Sequence, residues 1–241
     1  MLRREFRAIV ADYAKTVRAE GEAATISQTN IKDKVKKSFI DMYQVTGVAF
    51  AKMQAELIKQ AHRNLHTKAN PEDLESEWIL HMRRFVENRC GDKITAVTRH
   101  MYEDIIRVTR ASFEAGADQG WGADKVAREI MQRQGQIDQF RALRIARTEI
   151  VGASNEGSMK GAKDFRPDSM KKWVVTMDGN TRDDHAAMQG EPAIPLNQKF
   201  LVGGDEMDYP GDPSGSAGNV IQCRCGVTYE PETSFIDSLI S

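Results

Sequence analysis

Apolar residues recur every three or four positions along much of the first two-thirds of the chain. One such stripe is formed by Ile94, Val97, Met101, Ile105 and Val108. A second stripe runs along "SFIDMYQVTGVAFAKMQAELIKQ" and contains Phe39, Met42, Phe50, Met53 and Leu57. A repeat of this length places side chains on one face of an α-helix, and such faces normally pack in a helical core. The pattern therefore predicts a helical N-terminal region of five or six helices.

Boundary signals divide this helical region further. Asn70, followed by Pro71 and several acidic residues, is typical of a helix start with Asn70 as its N-cap. Gly135 predicts the end of a short helix. Asp138 is suited to cap the start of a further long helix, which contains "ARTEIVGASNEG".

The pattern changes near residues 166–167. "KKWVVTMDG" is rich in β-branched and aromatic residues and ends in Asp-Gly, which predicts a strand followed by a turn. Residues 190–218 contain six Gly and four Pro, which predicts a long irregular loop interrupted by the apolar "KFLVGG". "NVIQCRCGVTYEP" predicts a closing strand. The fold class is therefore α+β, with a helical N-terminal region followed by a small β-containing C-terminal module that has long Gly/Pro-rich loops.

Composition and charge limit the class of protein. The chain has 241 residues, of which 40% are hydrophobic and 29% charged, as is ordinary for a globular protein. It lacks any run of 18 apolar residues and its basic start lacks the apolar stretch of a secretory signal, so we expect neither a membrane partner nor a leader. Residues 1–170 carry an excess of five basic residues, and residues 171–241 an excess of six acidic ones. This split predicts two surfaces with different partners, but it falls short of a dedicated nucleic-acid-binding protein.

Two of the three cysteines, Cys223 and Cys225, lie one residue apart near the end of the chain. Together with His185 they offer three of the four ligands that zinc usually takes. In a regular strand, side chains at positions i and i+2 lie about 6.5–7 Å apart, whereas two sulfurs on one tetrahedral zinc lie about 3.8 Å apart. A zinc site is therefore one interpretation among four. The others are a redox pair, a cysteine nucleophile with His185 as its base, and small apolar residues that point inward from a strand.

The stretch "TRDDH" has two interpretations. Asp183, Asp184 and His185 are suited to bind a divalent metal that activates water, as in a hydrolase. Alternatively, Asp178, Asp183 and Asp184 accept main-chain N–H bonds at turns and helix starts, with "TRDDHAAMQG" as a short capped helix.

In "IARTE", Arg147 and Glu149 are two positions apart and therefore do not share a helix face. We expect each side chain to reach a different neighbour, with Arg147 buried as a bridge between the helical and the β-containing parts.

Three motifs in a fixed order carry a resemblance to a known family. The first is "ARTE" with a following Asn, and comprises Arg147, Thr148, Glu149 and Asn155. The second is a Trp-containing strand with D-x-x-T-R-x-x-H-x-x-x-x-G, and comprises Trp173, Asp178, Thr181, Arg182, His185 and Gly190. The third is a Pro-containing loop that ends in C-R-C, and comprises Pro210, Pro213, Cys223, Arg224 and Cys225. Over about residues 120–230 the chain resembles the phage Mu F-like minor head (head morphogenesis) proteins of tailed bacteriophages.

The resemblance implies a division of the chain and a function. Residues 1–118 would be a helical region of no recognised family, and residues 119–241 a Mu F-like head morphogenesis module. The implied function is that of a minor head or capsid structural protein, not an enzyme, which associates with the portal vertex and acts in head assembly, genome packaging or DNA ejection. The implied partners are the phage portal protein, other head proteins and packaged double-stranded DNA. The implied location is the virion, in the head interior or at the portal vertex, after assembly in the host cytoplasm.

Two departures from the family pattern bear on metal binding. Gln222 stands where the family usually has Asn, and many members carry C-x-x-C where this chain has "TRDDH". A metal site inferred for those members therefore transfers only in part, and zinc held by His185, Cys223 and Cys225 stays an open hypothesis. Two rival functions also stay open. One is a metal-dependent hydrolase or nuclease; the other is a DNA-binding protein of the phage head that uses basic helices, for example through Lys32, Lys34, Lys36 and Lys37.

Overall fold

The structure is a computed structural model that describes residues 1–61 and 70–230. Within these residues the long helices are α1 (Leu2–Glu20), α2 (Gln28–Ala61), α3 (Glu75–Arg89), α4 (Gly91–Gln119) and α5 (Ala123–Phe165). The shorter elements that follow are β1 (Met170–Val174), α6 (Asp183–Ala186), β2 (Ile194–Pro195), β3 (Phe200–Val202), β4 (Asp205–Met207), α7 (Ala217–Val220) and β5 (Gly226–Glu230). The predicted α+β class is confirmed. Among the described helices, none combines the length and the apolar character needed to cross a membrane.

The chain forms two compact units. The first unit comprises Met1–Phe39 and Cys90–Ala146, and the second comprises Ile40–Arg89 and Arg147–Ser241. Each unit therefore combines segments that are distant in sequence, because α2 and α5 contribute residues to both. The boundary between residues 118 and 119 follows the family resemblance rather than these units, and it stays a prediction.

The first unit is helical and has an apolar core. α1 buries side chains at three- and four-residue spacing, namely Leu2, Phe6, Ile9, Val10, Tyr13, Ala14 and Val17. α4 buries four residues of the predicted stripe, namely Ile94, Met101, Ile105 and Val108. The fifth, Val97, is half-buried, and the neighbouring Thr98 is buried with its hydroxyl donating to the Ile94 carbonyl at 2.7 Å. The helical pattern was therefore sufficient to predict the core face of α4.

α5 is one continuous helix of 43 residues, so the two boundaries predicted inside it are wrong. A glycine within a helix costs only about 1 kcal/mol relative to alanine, and packing outweighs such a cost at Gly135. Asp138 is not an N-cap. Its Oδ1 accepts a hydrogen bond from Gln134 Nε2, one turn earlier, at 2.8 Å.

The helix start predicted at Asn70 is also wrong. Residues 71–74 form a turn, and α3 begins at Glu75. The Asn70 side chain is engaged elsewhere, because its Oδ1 accepts a hydrogen bond from Lys59 Nζ at 3.2 Å. Its main-chain carbonyl accepts from the Asp73 N–H at 3.1 Å, which closes the turn.

In the second unit, small residues allow α2 and α5 to approach each other closely. A Cβ added to Gly157 would overlap the main-chain carbonyl of Gly47. A Cβ added to Gly161 would lie 2.5 Å from the carbonyl oxygen of Ala51. Neither position has room for a side chain unless the helices move apart.

This close approach explains an error in the predicted core face of α2. Met53 and Leu57 were expected to be buried, but they are 47% and 50% exposed. Ala51 and Ala55 are buried instead. The helix face that packs most closely here is the one with the smallest side chains, and a search for large apolar residues overlooks it.

The β-containing part of the second unit is a three-stranded antiparallel sheet in the order β2-β1-β5, together with a hairpin of β3 and β4. β1 pairs with β5 along its whole length, from Met170 opposite Glu230 to Val174 opposite Gly226. Strands β2, β3 and β4 all lie within the Gly/Pro-rich segment that was predicted to be irregular. One apolar cluster fills this region and consists of Trp173, Met188, Phe200, Val202, Met207, Val220, Cys223 and Cys225.

Candidate functional site

The segment before β5 is bent rather than extended. α7 ends at Val220 and β5 begins only at Gly226, so Cys223 and Cys225 lie outside the strand. Gln222 has a φ of 57°, a left-handed backbone conformation that redirects the chain. The Cys225 main-chain N–H then donates to Cys223 Sγ at 3.4 Å. The predicted closing strand is therefore correct for β5 but wrong for the residues before Gly226. The spacing argument that kept the two sulfurs apart no longer applies.

His185, from α6, meets both cysteines. Its Nδ1 lies 3.7 Å from Cys223 Sγ and 3.5 Å from Cys225 Sγ. The three donor atoms lie within 4.8 Å of one another, and all three residues are buried. The Trp173 ring packs edge-on against the imidazole, with ring centroids 5.7 Å apart and an interplanar angle of 81°. The structure thus assembles a buried Cys-Cys-His cluster, as the motif order indicated.

The two thiols of this cluster differ in acidity. The hydrogen bond from Cys223 lowers the pKa of the Cys225 thiol, and contact with His185 lowers this pKa further, against the effect of burial. The same bond, together with burial, raises the pKa of the Cys223 thiol. Of the two thiols, that of Cys225 is therefore the more acidic.

The predicted caps in "TRDDH" are only partly correct. Asp178 Oδ1 accepts the Asn180 main-chain N–H at 2.8 Å, so Asp178 closes a turn as expected. The N-cap of α6 is Arg182, and Asp183 and Asp184 occupy the first turn of the helix instead. Neither of these two aspartates is therefore the residue that starts the helix.

Two arginines of the motifs connect α6 and its turn to the bent stretch. Arg182 Nη2 donates to the main-chain carbonyl of Ile221 at 2.5 Å. Arg224 Nη2 donates to Asp178 Oδ1 at 2.7 Å, with both side chains more than 40% exposed. The Thr176 hydroxyl donates to the main-chain carbonyl of Arg224 at 2.7 Å. These contacts join the segments on either side of the Cys-Cys-His cluster.

The "ARTE" residues face in different directions from α5. Arg147 is exposed, so its predicted role as a buried bridge is wrong. Glu149 is 3% exposed and accepts a hydrogen bond from the Tyr43 hydroxyl at 3.0 Å. Thr148 Oγ1 accepts the main-chain N–H of Gln222 at 3.0 Å. Residues one or two positions apart point to different sides of a helix. Of these three residues, Arg147 is the one that faces solvent.

Asn155 connects two other segments of the second unit to α5. Its buried Nδ2 donates to the main-chain carbonyl of Pro210 at 2.9 Å and to that of Cys225 at 3.3 Å. One amide therefore links α5 both to the Gly/Pro-rich loop and to the bent Cys-Arg-Cys stretch.

Sequence reasoning missed several residues that hold the same unit together. Asp212 has a side chain that is 1% exposed, and its carboxylate accepts from Arg89 Nη2 at 3.2 Å. The same carboxylate accepts the main-chain N–H groups of Asp208 and Ser214. The spacing Pro-Gly-Asp-Pro was a usable turn signal for Asp212. For Arg89, by contrast, the partner lies 123 positions away, and nothing in the local pattern marks it.

Comparison with known proteins gives this arrangement a context. A family model described as "Phage Mu protein F like protein" matches residues 108–228, which is half of the chain. The chain belongs to this family. The resemblance seen in the sequence is thereby confirmed, and membership indicates a phage head morphogenesis protein. The match contains every motif residue described above, from Arg147 to Cys225.

One curated protein similar to this Mu F-like chain is NAD(+)--arginine ADP-ribosyltransferase EFV of Enterococcus faecalis (strain ATCC 700802 / V583). The two are 33% identical over 87 residues, which are 35% of this chain and 18% of the relative. The chain therefore spans less than a fifth of the length of that protein. No solved structure gives a significant match.

Proposed function

We propose that the protein is a minor head structural protein of a tailed bacteriophage, which associates with the portal vertex and acts in head assembly, genome packaging or DNA ejection. Membership of the Phage Mu protein F-like family is the observation that carries this proposal. The proposed partners are the portal protein, other head proteins and packaged double-stranded DNA.

The contacts of the family motifs support a structural role rather than a catalytic one. Asn155 and Arg182 donate to main-chain carbonyls, and Thr148 accepts a main-chain N–H. These side chains connect α5 and the start of α6 to main-chain groups of distant loops, as positioning residues do. The motif residues thus act to fix the loops of the second unit in place.

The hydrolase alternative lacks a supporting contact in the described part of the chain. The hydrolase hypothesis assigns Asp183 and Asp184 to the metal together with His185. Asp183 and Asp184 do not belong to the group of donor atoms that His185 forms with the two cysteines. Asp184 instead lies against Gly203, where a Cβ would collide with its carboxylate.

The positions of the lysines on α2 give little support to the DNA-binding alternative. Lys34 forms an ion pair with Asp12 at 3.1 Å, while Lys32 and Lys37 are exposed. Lysines at these spacings are distributed around α2 rather than along one strip, and a solvated helix gives the same pattern. DNA therefore remains a partner in the proposal because of the family, not because of these lysines.

The proposal is tested by mass spectrometry of purified procapsids and virions from a phage that expresses the chain. We expect the protein in these particles in low copy number, and chemical cross-links between it and the portal protein. Its absence from both particles, in a lysate where the chain is expressed, would overturn the proposal. Particles that contain the chain cross-linked only to the major capsid protein would overturn the portal association alone.

Complementation of a phage that lacks the gene adds a functional readout. We expect the wild-type chain and Arg147→Ala, which changes an exposed side chain, to restore infectious particles. Asn155→Ala removes both of the amide's hydrogen bonds, and we expect it to fail. Equal rescue by Asn155→Ala would contradict the structural role given to that residue.

A further inference from the structure

We propose that His185, Cys223 and Cys225 bind one zinc ion through Nδ1 and the two Sγ atoms, and that this ion connects α6 to the bent stretch that leads into β5. The proposal goes beyond head morphogenesis, because a head protein could hold these loops with or without a metal.

The distances between the donor atoms are those of a tetrahedral zinc site. Zinc binds sulfur at about 2.3 Å and imidazole nitrogen at about 2.0–2.1 Å, so tetrahedral angles place nitrogen and sulfur about 3.5 Å apart. Nδ1 of His185 lies 3.7 Å from Cys223 Sγ and 3.5 Å from Cys225 Sγ. All three donor atoms, including the two sulfurs, lie within 4.8 Å of one another. An ion between them would need only small side-chain movements.

The backbone makes this geometry available before any ion binds. The left-handed conformation of Gln222 bends the chain, and the Cys225 N–H points at Cys223 Sγ. An N–H group directed at a sulfur stabilises the thiolate form that a metal requires. The Thr148 hydroxyl accepts the Gln222 N–H, so the bend itself is anchored to α5.

The surroundings leave room for a small ligand only. A cavity of about 10 Å³ adjoins the three donor residues and is also lined by Thr176, Asn180, Thr181, Arg182, Gln222 and Arg224. This volume is close to that of a single water-sized probe, and it is too small for an organic molecule. With three protein ligands in the described group, the fourth coordination position is therefore suited to a water molecule.

The chemistry of the donors selects the metal. Two thiolates and an imidazole suit zinc, whereas Mg²⁺ and Ca²⁺ prefer oxygen ligands. Two thiolates also balance the charge of Zn²⁺, so the buried site carries no net charge from these groups. Each cysteine binds as thiolate, and any proton that the pair carries leaves to solvent on binding.

The ion would connect α6 to the bent stretch that leads into β5. Apart from the apolar cluster, these segments are connected by exposed or single contacts, such as Arg224 with Asp178. Zinc ligation is expected to add stability here because the ion binds the folded state and not the separated ligands. This region would therefore be the part of the chain most affected by a chelator.

The test uses the full chain, purified under reducing conditions and analysed for metal content. We expect one zinc ion per chain, and a fall in the melting temperature when a strong chelator removes it. Cobalt then serves as the probe on the metal-free protein. A tetrahedral site with sulfur ligands gives a thiolate-to-cobalt charge-transfer band and intense visible bands, and we expect zinc to abolish both.

Variants identify the ligands. We expect Cys223→Ser, Cys225→Ser and His185→Asn to lower cobalt and zinc affinity more than tenfold, because loss of a second-shell partner already costs about tenfold or more and these residues bind the ion directly. Cys90→Ser is the matched control, because Cys90 is also buried but lies in the first unit, and it should bind as the wild type does. If a ligand variant fails to fold, the cobalt spectrum of the wild type alone still reports the sulfur ligands. A folded wild-type chain with no charge-transfer band would overturn the proposal. So would zinc that stays bound to a folded chain in which all three substitutions are combined.

Discussion

Asp138 shows how a single buried residue affects stability. It is 1% exposed inside α5, and its Oδ2 has no partner among the described residues. Burial raises the pKa of its carboxyl to about 6, although the Gln134 hydrogen bond and the nearby Arg141 act in the opposite direction. The folded chain thus binds a proton here between about pH 4 and pH 6, where the unfolded chain does not. This residue therefore makes folding more favourable as the pH falls through that window.

We predict that Asp138→Asn raises the free energy of unfolding by about 1–3 kcal/mol at about pH 7. The neutral amide needs no ionisation, and its carbonyl can still accept from Gln134 Nε2. The difference from the wild type should shrink as the pH falls below about 6 and vanish near pH 4. Urea unfolding of both chains across this range measures the effect.

Asp104→Asn is the control with the opposite expected sign. Burial acts to raise the pKa of Asp104, but hydrogen bonds from Arg107 and Arg141 outweigh it and hold this pKa below its ordinary value. Such a carboxylate stabilises the fold above its unfolded pKa, so its loss should destabilise the chain at neutral pH. If Asp138→Asn instead proved less stable than the wild type at neutral pH, the ionised Asp138 would have to be better solvated than the fold shows.

At this scale, sequence reasoning predicted which residues meet at the Cys-Cys-His cluster but not how they do so. The order of the motifs grouped His185 with Cys223 and Cys225. The bend was not predicted, because glutamine seldom adopts the left-handed conformation that Gln222 has. The family usually has Asn at this position, and asparagine tolerates that conformation more readily. The departure at Gln222 therefore hid the turn signal that would have corrected the predicted strand.

The apolar pattern of the sequence also predicted some contacts between helices and missed others. The apolar stripe of α4 identified its core face because large side chains occupy it. In α2 and α5 the close contact is made by glycine and alanine, which carry no periodic apolar signal. The continuity of α5 through Gly135 was missed because local breakers were given more weight than packing along the rest of the helix.

Two glycines of α5 give a matched pair for this point. We predict that Gly157→Ala destabilises the chain by several kcal/mol or prevents folding of the second unit, because its Cβ would overlap the Gly47 carbonyl. Gly135→Ala meets nothing within 4 Å and should stabilise the helix by up to about 1 kcal/mol. Thermal unfolding followed by circular dichroism measures both variants.

The comparison is informative because the chemical change is the same at both positions. If Gly157→Ala and Gly135→Ala shifted the melting temperature in the same direction and by similar amounts, α2 and α5 would not be in close contact at Gly157. If Gly157→Ala melts at a lower temperature than the wild type and Gly135→Ala does not, the destabilisation comes from the contact between α2 and α5. It does not come from helix propensity.

At the scale of the whole molecule, the family match and the compact units divide the chain differently. The second unit contains Ile40–Arg89, which precedes the matched residues 108–228. This segment supplies partners for three buried acidic groups: Tyr43 donates to Glu149, His81 contacts Glu156 at 2.5 Å, and Arg89 donates to Asp212. Trp78 Nε1 also donates to Asp164, which is not buried. A buried carboxylate that loses its partner carries a large desolvation cost. The motifs alone therefore do not define a folding unit.

Expression of residues 119–241 by themselves tests this conclusion. We predict that the fragment lacks the near-ultraviolet circular dichroism and the cooperative thermal transition of the full chain, because its buried acidic groups and its face of α5 have no partners. Addition of a separately expressed segment of residues 28–89 should restore part of the cooperative transition, since it returns α3 and the second-unit part of α2. The 119–241 fragment with Gly157→Leu is the matched control, because a side chain at this position would overlap the main-chain carbonyl of Gly47 and should block docking. A fragment of residues 119–241 that melts cooperatively on its own, with the full chain's transition temperature, would show that the family module folds without Ile40–Arg89.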